Sequence, residues 1–371
     1  MPDSVPNIKQ IRIGIAVSLT GRYAYPGKQA LAGVEAWIQH VNRIGGLGLE
    51  NKRLPLELVH YDDASRPQRC EELTRRLIRA DKVDVLIGPY SSGFTIRAAK
   101  VANDSGQLLW NHGGALGSRA QGKVVDILSP ASTYFHGVID YALSRIPDLV
   151  EVTIVHSTAG EFPRQLAAGS LEYCSEKRLP LPFVLTYAAN TKRFDTILEH
   201  LRQQRPELLL VVGRIEDDVE FVRQLQHAEL GIDLVAVIAA PLTTFGEELG
   251  EAADGILGPS QWEPGLDFVP EYGPTPAEVV QELGSMGQSV VDYPAAQAYA
   301  GCLVAQRCIE TTASLDPKML WATAGRLDMT TFYGRFRIDA ETGRQEGHVM
   351  PVIQWREGRK VPVWPPQSGM V

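Results

Sequence analysis

The stretch IRIGIAVSLTGRYAYPGKQALAGV, residues 11–34, decides the fold. Ile13, Ile15, Ala16 and Val17 form a short apolar run with no polar alternation, the pattern of a strand buried on both faces. Thr20 and Gly21 open a small polar loop. From Leu31 the apolar residues fall at helical spacing, with Leu31, Val34, Ile38 and Val41 on one stripe. A doubly buried strand that passes through a loop into an amphipathic helix is the repeating unit of a parallel α/β sheet.

The device recurs along the chain. Leu54–Val59 is expected to be a second strand, ending at Asp62-Asp63, and Pro67 opens a helix whose stripe is Cys70, Leu73, Leu77 and Ala80. Val83–Gly88 and Gln107–Trp110 read as further strands, with loops Pro89-Tyr90-Ser91-Ser92-Gly93 and Asn111-His112-Gly113-Gly114-Ala115. A second set follows, with strands at Val152–Val155, Leu208–Val212 and Leu234–Ile238. Helices lie over Pro163–Glu176 and around Val219, Val222 and Leu225. The Gly- and Pro-rich segment 255–274 is expected to be a return path to a long helix from Pro294 to about Glu310. The end, from Gly334 onward, reads as β-rich, with a turn at Glu357-Gly358. The fold class is therefore α/β, with two doubly wound parallel-sheet lobes and ligand loops at the carboxyl ends of the strands.

A length of 371 residues suits two such lobes. Hydrophobic content of 44% with 22% charged residues is that of a globular protein, and a net charge of -8 argues against a nucleic-acid surface. No run approaches the roughly 20 apolar residues of a membrane span. MPDSVPNIKQ has no basic segment followed by an apolar one. The expected location is the periplasm if an export signal has been removed and the cytoplasm otherwise. Cys70, Cys174, Cys302 and Cys308 have no metal-type or CxxC spacing and are expected to be small buried side chains.

Several chemistries are excluded by spacing. There is no HExxH or His/Cys set for a metal and no GxSxG nucleophile elbow. Gly21 to Lys28 imitates a phosphate loop, but five residues separate its glycines and Gln29 stands where Ser or Thr should follow the lysine. No GxGxxG follows a strand, so neither a nucleotide cofactor nor a metal is expected, and no cofactor is assigned. Asp62 and Asp63 are adjacent at a strand end, so their side chains take opposite faces, and capping of the Pro67 helix is their expected role. What remains is binding. Ser91 and Ser92 precede a helix start, where hydroxyls and N–H groups can grip a carboxylate or carbonyl. Gly113, Gly114 and Ala115 are expected to expose backbone N–H groups with little side chain in the way.

In order and spacing, a set of motifs resembles the type I periplasmic solute-binding proteins of branched-chain amino acid and amide transporters, the Leu/Ile/Val-binding class. They are Ser18-Leu19-Thr20-Gly21 with Gly27, Val41-Asn42-Arg43-Ile44-Gly45-Gly46, Tyr61-Asp62-Asp63, and Leu86 to Ser92. Ala253-Asp254-Gly255-Ile256, Gly334 to Asp339, and Gln354-Trp355 complete the set. The resemblance spans Ile11 to Trp364. It implies two lobes joined by three crossovers, residues 8–128 with 260–345 and 129–259 with 346–371, closing on a ligand by hinge motion.

The resemblance also implies a non-enzymatic receptor whose ligand contacts fall on Tyr25, Tyr90, Ser91, Ser92, Gly113, Gly114, Ala115, Phe162, Arg214 and Pro241. Ser92 takes the place of the ligand-carboxylate serine, and Phe162 that of the aromatic from the second lobe. Two positions depart from the amino-acid binders. Pro241 stands where an acid meets the ligand ammonium, and Arg214 where an aromatic is usual. Glu216 or Asp217 could substitute for that acid. Ser65 and Ser91 stand at the family's disulfide positions. The expected function is the receptor of an ABC importer with a permease partner, for a branched-chain amino acid-like solute, an amide or an aromatic acid. The alternative is a cytoplasmic ligand sensor of the same fold that regulates a partner protein.

Overall fold

The computed structural model describes residues 9–116, 123–266 and 268–365, so the leader reading of residues 1–8 lies outside the described residues. The chain divides into two compact units, Met1–Ser129 with Pro264–Val349 and Pro130–Glu263 with Met350–Val371.

Unit 1 opens with β1 (Ile11–Val17), α1 (Ala24–Arg43), β2 (Leu47–Leu49), β3 (Lys52–Leu54) and β4 (Leu56–Asp62). It continues with α2 (Pro67–Arg79), β5 (Val85–Ile87), α3 (Ser92–Asp104), β6 (Leu109–Asn111) and β7 (Val124–Asp126). Its sheet has the order β4-β1-β5-β6-β7, all parallel. Unit 2 follows with α4 (His136–Arg145), β8 (Val152–Ser157), α5 (Glu161–Glu176), β9 (Phe183–Tyr187), α6 (Asp195–Gln204) and β10 (Leu208–Val212). Then come α7 (Ile215–Ala228), β11 (Leu234–Val237), α8 (Thr243–Leu249) and β12 (Leu257–Pro259). The chain returns to unit 1 for α9 (Pro276–Ser285), α10 (Tyr293–Thr312), α11 (Pro317–Ala324), β13 (Asp328–Thr331) and β14 (Gly334–Arg337). It ends in unit 2 with β15 (Val352–Arg356) and β16 (Arg359–Trp364).

The parallel strands of unit 2 run β9-β8-β10-β11-β12, the same 2-1-3-4-5 winding as unit 1, with the antiparallel β15–β16 hairpin added beside β12. Strand β10 shows why the apolar runs are continuous. Leu209 and Val211 enter one core with Phe194, Phe221, Phe245 and Trp355, while Leu208, Leu210 and Val212 enter another with Phe135, Leu166 and Cys174. Helices cover both faces, so each strand position needs an apolar side chain.

Local chemistry sets the helix ends. Pro67 stands in the first turn of α2, and His40 and Arg43 fall in the last turn of α1, at its negative end. Thr275 and Glu278 cap α9 reciprocally, and Asp316 caps α11 through the N–H groups of Lys318 and Met319.

Four expectations need correction. The second strand is preceded by an antiparallel hairpin, β2–β3, whose three-residue strands are too short to show a period. The segment 255–274 is not only a return path, because Leu257–Pro259 completes the parallel sheet of unit 2. The β-rich end starts before Gly334, because β14 pairs with β13, Asp328–Thr331. The Asp62–Asp63 pair does not cap α2, whose N-cap is Arg66 and has no side-chain bond. Asp62 instead accepts from the N–H groups of Leu19, Thr20 and Ala64, and the fully buried Asp63 accepts from the Ser18 hydroxyl at 2.6 Å. The pair shapes the loop after β1. All four cysteines are free and buried, as expected, and burial pushes each thiol up.

In unit 1 the long helices α1 and α10 pack closely. A Cβ on Gly33 would lie 2.1 Å from the Ala295 carbonyl oxygen, and Trp37 Nε1 donates to Gln306 Oε1 at 2.8 Å. Helix α10 is therefore buried nearly all round rather than along one stripe. Gly33→Ala forces the two backbones apart and should cost about 1–3 kcal/mol of stability. A thermal midpoint equal to that of the unsubstituted protein would show that the helices do not depend on this approach.

Candidate functional site

In unit 1 the loops after β1, β5 and β6 lie at the carboxyl edge of the sheet, and the winding reverses between β1 and β5. Ligands of doubly wound sheets sit at such a point. Ser91, the N-cap of α3, has φ +82° and ψ 134°, a strained conformation for a residue with a side chain. Its N–H donates to the Gly113 carbonyl at 2.7 Å, and Tyr90 and Gly113 form a parallel bridge, so the β5 and β6 loops are joined.

Neither Ser91 nor Ser92 caps α3 with its side chain. The Ser92 hydroxyl accepts from the Ala115 N–H at 3.1 Å, which leaves its own proton to donate outward at the positive end of a 13-residue helix. Ser92 is only partly buried.

The glycine loop differs from expectation. Its amides are bonded within the unit: Gly113 and Gly114 both donate to Asn111 Oδ1, at 3.2 and 3.1 Å, and Ala115 to Ser92. Gly114 and Ala115 are buried. A Cβ on Gly114 would lie 2.2 Å from Thr95 Oγ1, so only glycine lets this loop approach α3. The loop supports Ser92 instead of offering bare N–H groups.

The tyrosines stand around these loops. Tyr25 donates to the buried Asp292 carboxylate at 2.5 Å, and the Tyr90 and Tyr293 hydroxyls are 2.7 Å apart. Tyr23, in the loop after β1, tilts against Tyr90 at 6.3 Å and meets Phe94 edge-on at 5.6 Å. Burial pushes the Tyr90 phenol up to about 12, so it stays neutral.

In unit 2, Phe162 opens α5, partly buried, with its ring edge-on to Tyr134 at 5.3 Å. Arg214 is the N-cap of α7, and its guanidinium donates to Asn190 Oδ1 at 3.2 Å. Pro241 is buried after β11, and its carbonyl accepts from Lys360 Nζ at 2.7 Å. That ammonium also pairs with the nearly inaccessible Glu263 at 3.2 Å. Glu216 is exposed and Asp217 buried. Each predicted residue thus stands at or beside a carboxyl-edge loop of its own unit.

Sequence reasoning missed Asn111, Asp126, Asp292, Tyr293, Lys360 and Asp218. Asp218 is fully buried in the first turn of α7, and burial raises its carboxyl well above the usual range although the Ala239 and Gly213 N–H groups face it. A polar residue ending an otherwise apolar strand is the signal that Asn111 and Asp126 share with Asp62.

The sequence pattern of the periplasmic binding protein family matches residues 10–360. A Leu/Ile/Val-binding protein homolog 7 of Brucella melitensis is 21% identical over 98% of this chain and 93% of its own. The substrate-binding protein LivJ of Streptococcus pneumoniae, solved with isoleucine, superposes with a TM-score of 0.80 at 17% identity, covering 95% of this chain and 98% of its own. An ABC-transporter solute-binding protein of Rhodopseudomonas palustris HaA2, solved with p-hydroxybenzoic acid, superposes at 0.78 with 18% identity over 95% of each chain. The chain belongs to the periplasmic binding protein family. This is a family of non-enzymatic solute-binding proteins, and no helix among the described residues is long and apolar enough to cross a membrane.

Asp218 yields a prediction on pH. Its carboxyl, raised in the folded state, is protonated there while the unfolded chain ionises at about pH 4, so stability falls as pH rises from that point. Asp218→Asn removes the titration. The variant should gain on the unsubstituted protein by up to about 1.4 kcal/mol per pH unit above pH 4. Parallel unfolding curves across pH 4–8 would refute the assignment.

Proposed function

We propose that this chain is the solute receptor of an ABC importer and that it binds a small organic acid by its carboxylate. The observation that carries this reading is Ser92. Its hydroxyl accepts from the Ala115 amide at the amino end of α3, beside the switch point of the unit 1 sheet, which leaves its proton available to donate to an anion. Tyr25, Tyr90, Ser91 and the Gly113–Ala115 loop form the surroundings of that anchor. An ABC transporter permease and a small-molecule ligand are the partners this role requires.

The unit 2 loops favour an acid without an α-ammonium group. Pro241 carries no carboxylate, and its carbonyl accepts from the Lys360 ammonium, which pairs with Glu263. Arg214 adds a second cation at the amino end of α7. Burial disfavours the charged form of Asp218 and so weakens it as a counter-charge. An ammonium brought among these groups would be opposed, whereas an aromatic acid, an amide or a second acceptor would be favoured. Phe162 supplies an apolar face for such a ligand.

A thermal-shift screen with isoleucine, leucine, benzoate, p-hydroxybenzoate, dicarboxylates and simple amides tests the reading. A ligand at 100 times its dissociation constant should add about 2.7 kcal/mol. Acids lacking an ammonium should stabilise more than isoleucine does. Ser92→Ala should weaken the best of them by about 1–3 kcal/mol through the lost charge-assisted hydrogen bond. Unchanged affinity would show that the serine is structural.

A further inference from the structure

Behind the Ser92 anchor lies a closed chain of hydrogen bonds inside unit 1. Asn111 ends β6 and Asp126 ends β7, and the parallel register sets them directly beside one another. Asn111 is completely buried and Asp126 partly so. Asn111 Nδ2 donates to Asp126 Oδ1 at 2.6 Å and to the Gly114 carbonyl at 2.6 Å. Its Oδ1 accepts from the N–H groups of Gly113 and Gly114. Both donors and both lone pairs of the amide are thus in use. The next amide along, Ala115, holds Ser92.

We propose that Asn111 and Asp126 are positioning residues for the ligand anchor, and that the charge on Asp126, passed through Asn111 to the Gly113–Ala115 loop, makes carboxylate affinity depend on pH near neutrality. The proposal rests on the reading of Ser92 as the carboxylate anchor. Three backbone groups of the glycine loop fix which way the Asn111 amide faces, and the Asp126 carboxylate anchors that amide from behind. An ionised Asp126 makes the 2.6 Å bond a charge-assisted one. Protonation leaves a neutral and weaker bond, so the amide, the loop it holds and the Ser92 hydroxyl are held less firmly.

Asp126 titrates in the right range. Burial raises its carboxyl to about 7, against the lowering effects of the Asn111 hydrogen bond and of the Arg344 guanidinium. The groups that face it from neighbouring elements, among the described residues, are few. Asn111 on β6 is neutral, Gly343 contributes a carbonyl that accepts the Asp126 N–H, and Arg344 is the charged group. His112, next to Asn111, is depressed by burial to about 4 and stays neutral above pH 5. One proton near pH 7 therefore controls the arrangement.

The test uses the full chain and its Asp126→Asn variant, which is neutral at every pH and, like the protonated acid, can still accept from Asn111. Amide resonances of Gly113, Gly114 and Ala115 are followed from pH 5.5 to 8.5 without ligand, and dissociation constants for p-hydroxybenzoate and isoleucine are measured at about pH 6 and about pH 8. These probes keep their carboxylates ionised over that range. In the unsubstituted protein the three amides should titrate together near pH 7, and the probe that binds should bind on the order of tenfold more weakly at the lower pH. In Asp126→Asn both effects should vanish, with affinity close to the low-pH value at every pH, because the charge is permanently absent. Amides that do not titrate, or a pH ratio that survives the substitution, overturn the proposal. Affinity that rises on acidification also overturns it, since Asp126 would then act by repelling the ligand's charge. If neither probe binds, the carboxylate-receptor reading is what fails, and the amide titration still decides whether Asp126 governs the loop.

Discussion

Every feature of the candidate site depends on one constraint. A parallel strand buried on both faces must bond its whole backbone to its neighbours and must reach the next strand through a covering helix. All the strand-to-helix loops then emerge at the same edge. In both units the winding is 2-1-3-4-5, so in both the chain reverses beside the first strand and parts two loops there. Ser92 stands at that point in unit 1 because β5 ends and α3 begins there, and the corresponding edge of unit 2 carries Arg214.

The burial that makes these sheets possible also shapes their electrostatics. Polar residues that end apolar strands are drawn out of water, and each needs partners from the loops around it. Asp62 and Asp63 organise the loop after β1, and Asn111 organises the loop after β6. Asp126 and Asp218 are held as weak acids by the same burial. The carboxyl edge is thus a row of loops shaped from behind by buried polar groups, with hydroxyls and aromatic rings in front.

Much of this was legible in the sequence. The apolar runs at Ile11–Val17 and Leu208–Val212 announced doubly buried strands, and Pro67 and Pro294 announced helix starts. The hairpin β2–β3 and strand β7 were not legible, because three residues are too few to show a period. The serine at the start of α3 was legible as a site residue, since its type and position are local. What its hydroxyl bonds was not, because Ala115 is brought to it by the pairing of β5 with β6. The Asn111–Asp126 contact was hidden for the same reason: strand register decides it, and register cannot be read from either strand alone.

The interrupted path of the chain has a consequence for biosynthesis. Helix α1 emerges from the ribosome with its buried face prepared for α10, which is translated only after the whole of the intervening unit. The opening 129 residues therefore wait with apolar surface uncovered, a condition that invites chaperone attention and slows vectorial folding. The intervening unit waits in turn for the hairpin β15–β16, so neither half reaches its finished core until the chain has passed through both units twice.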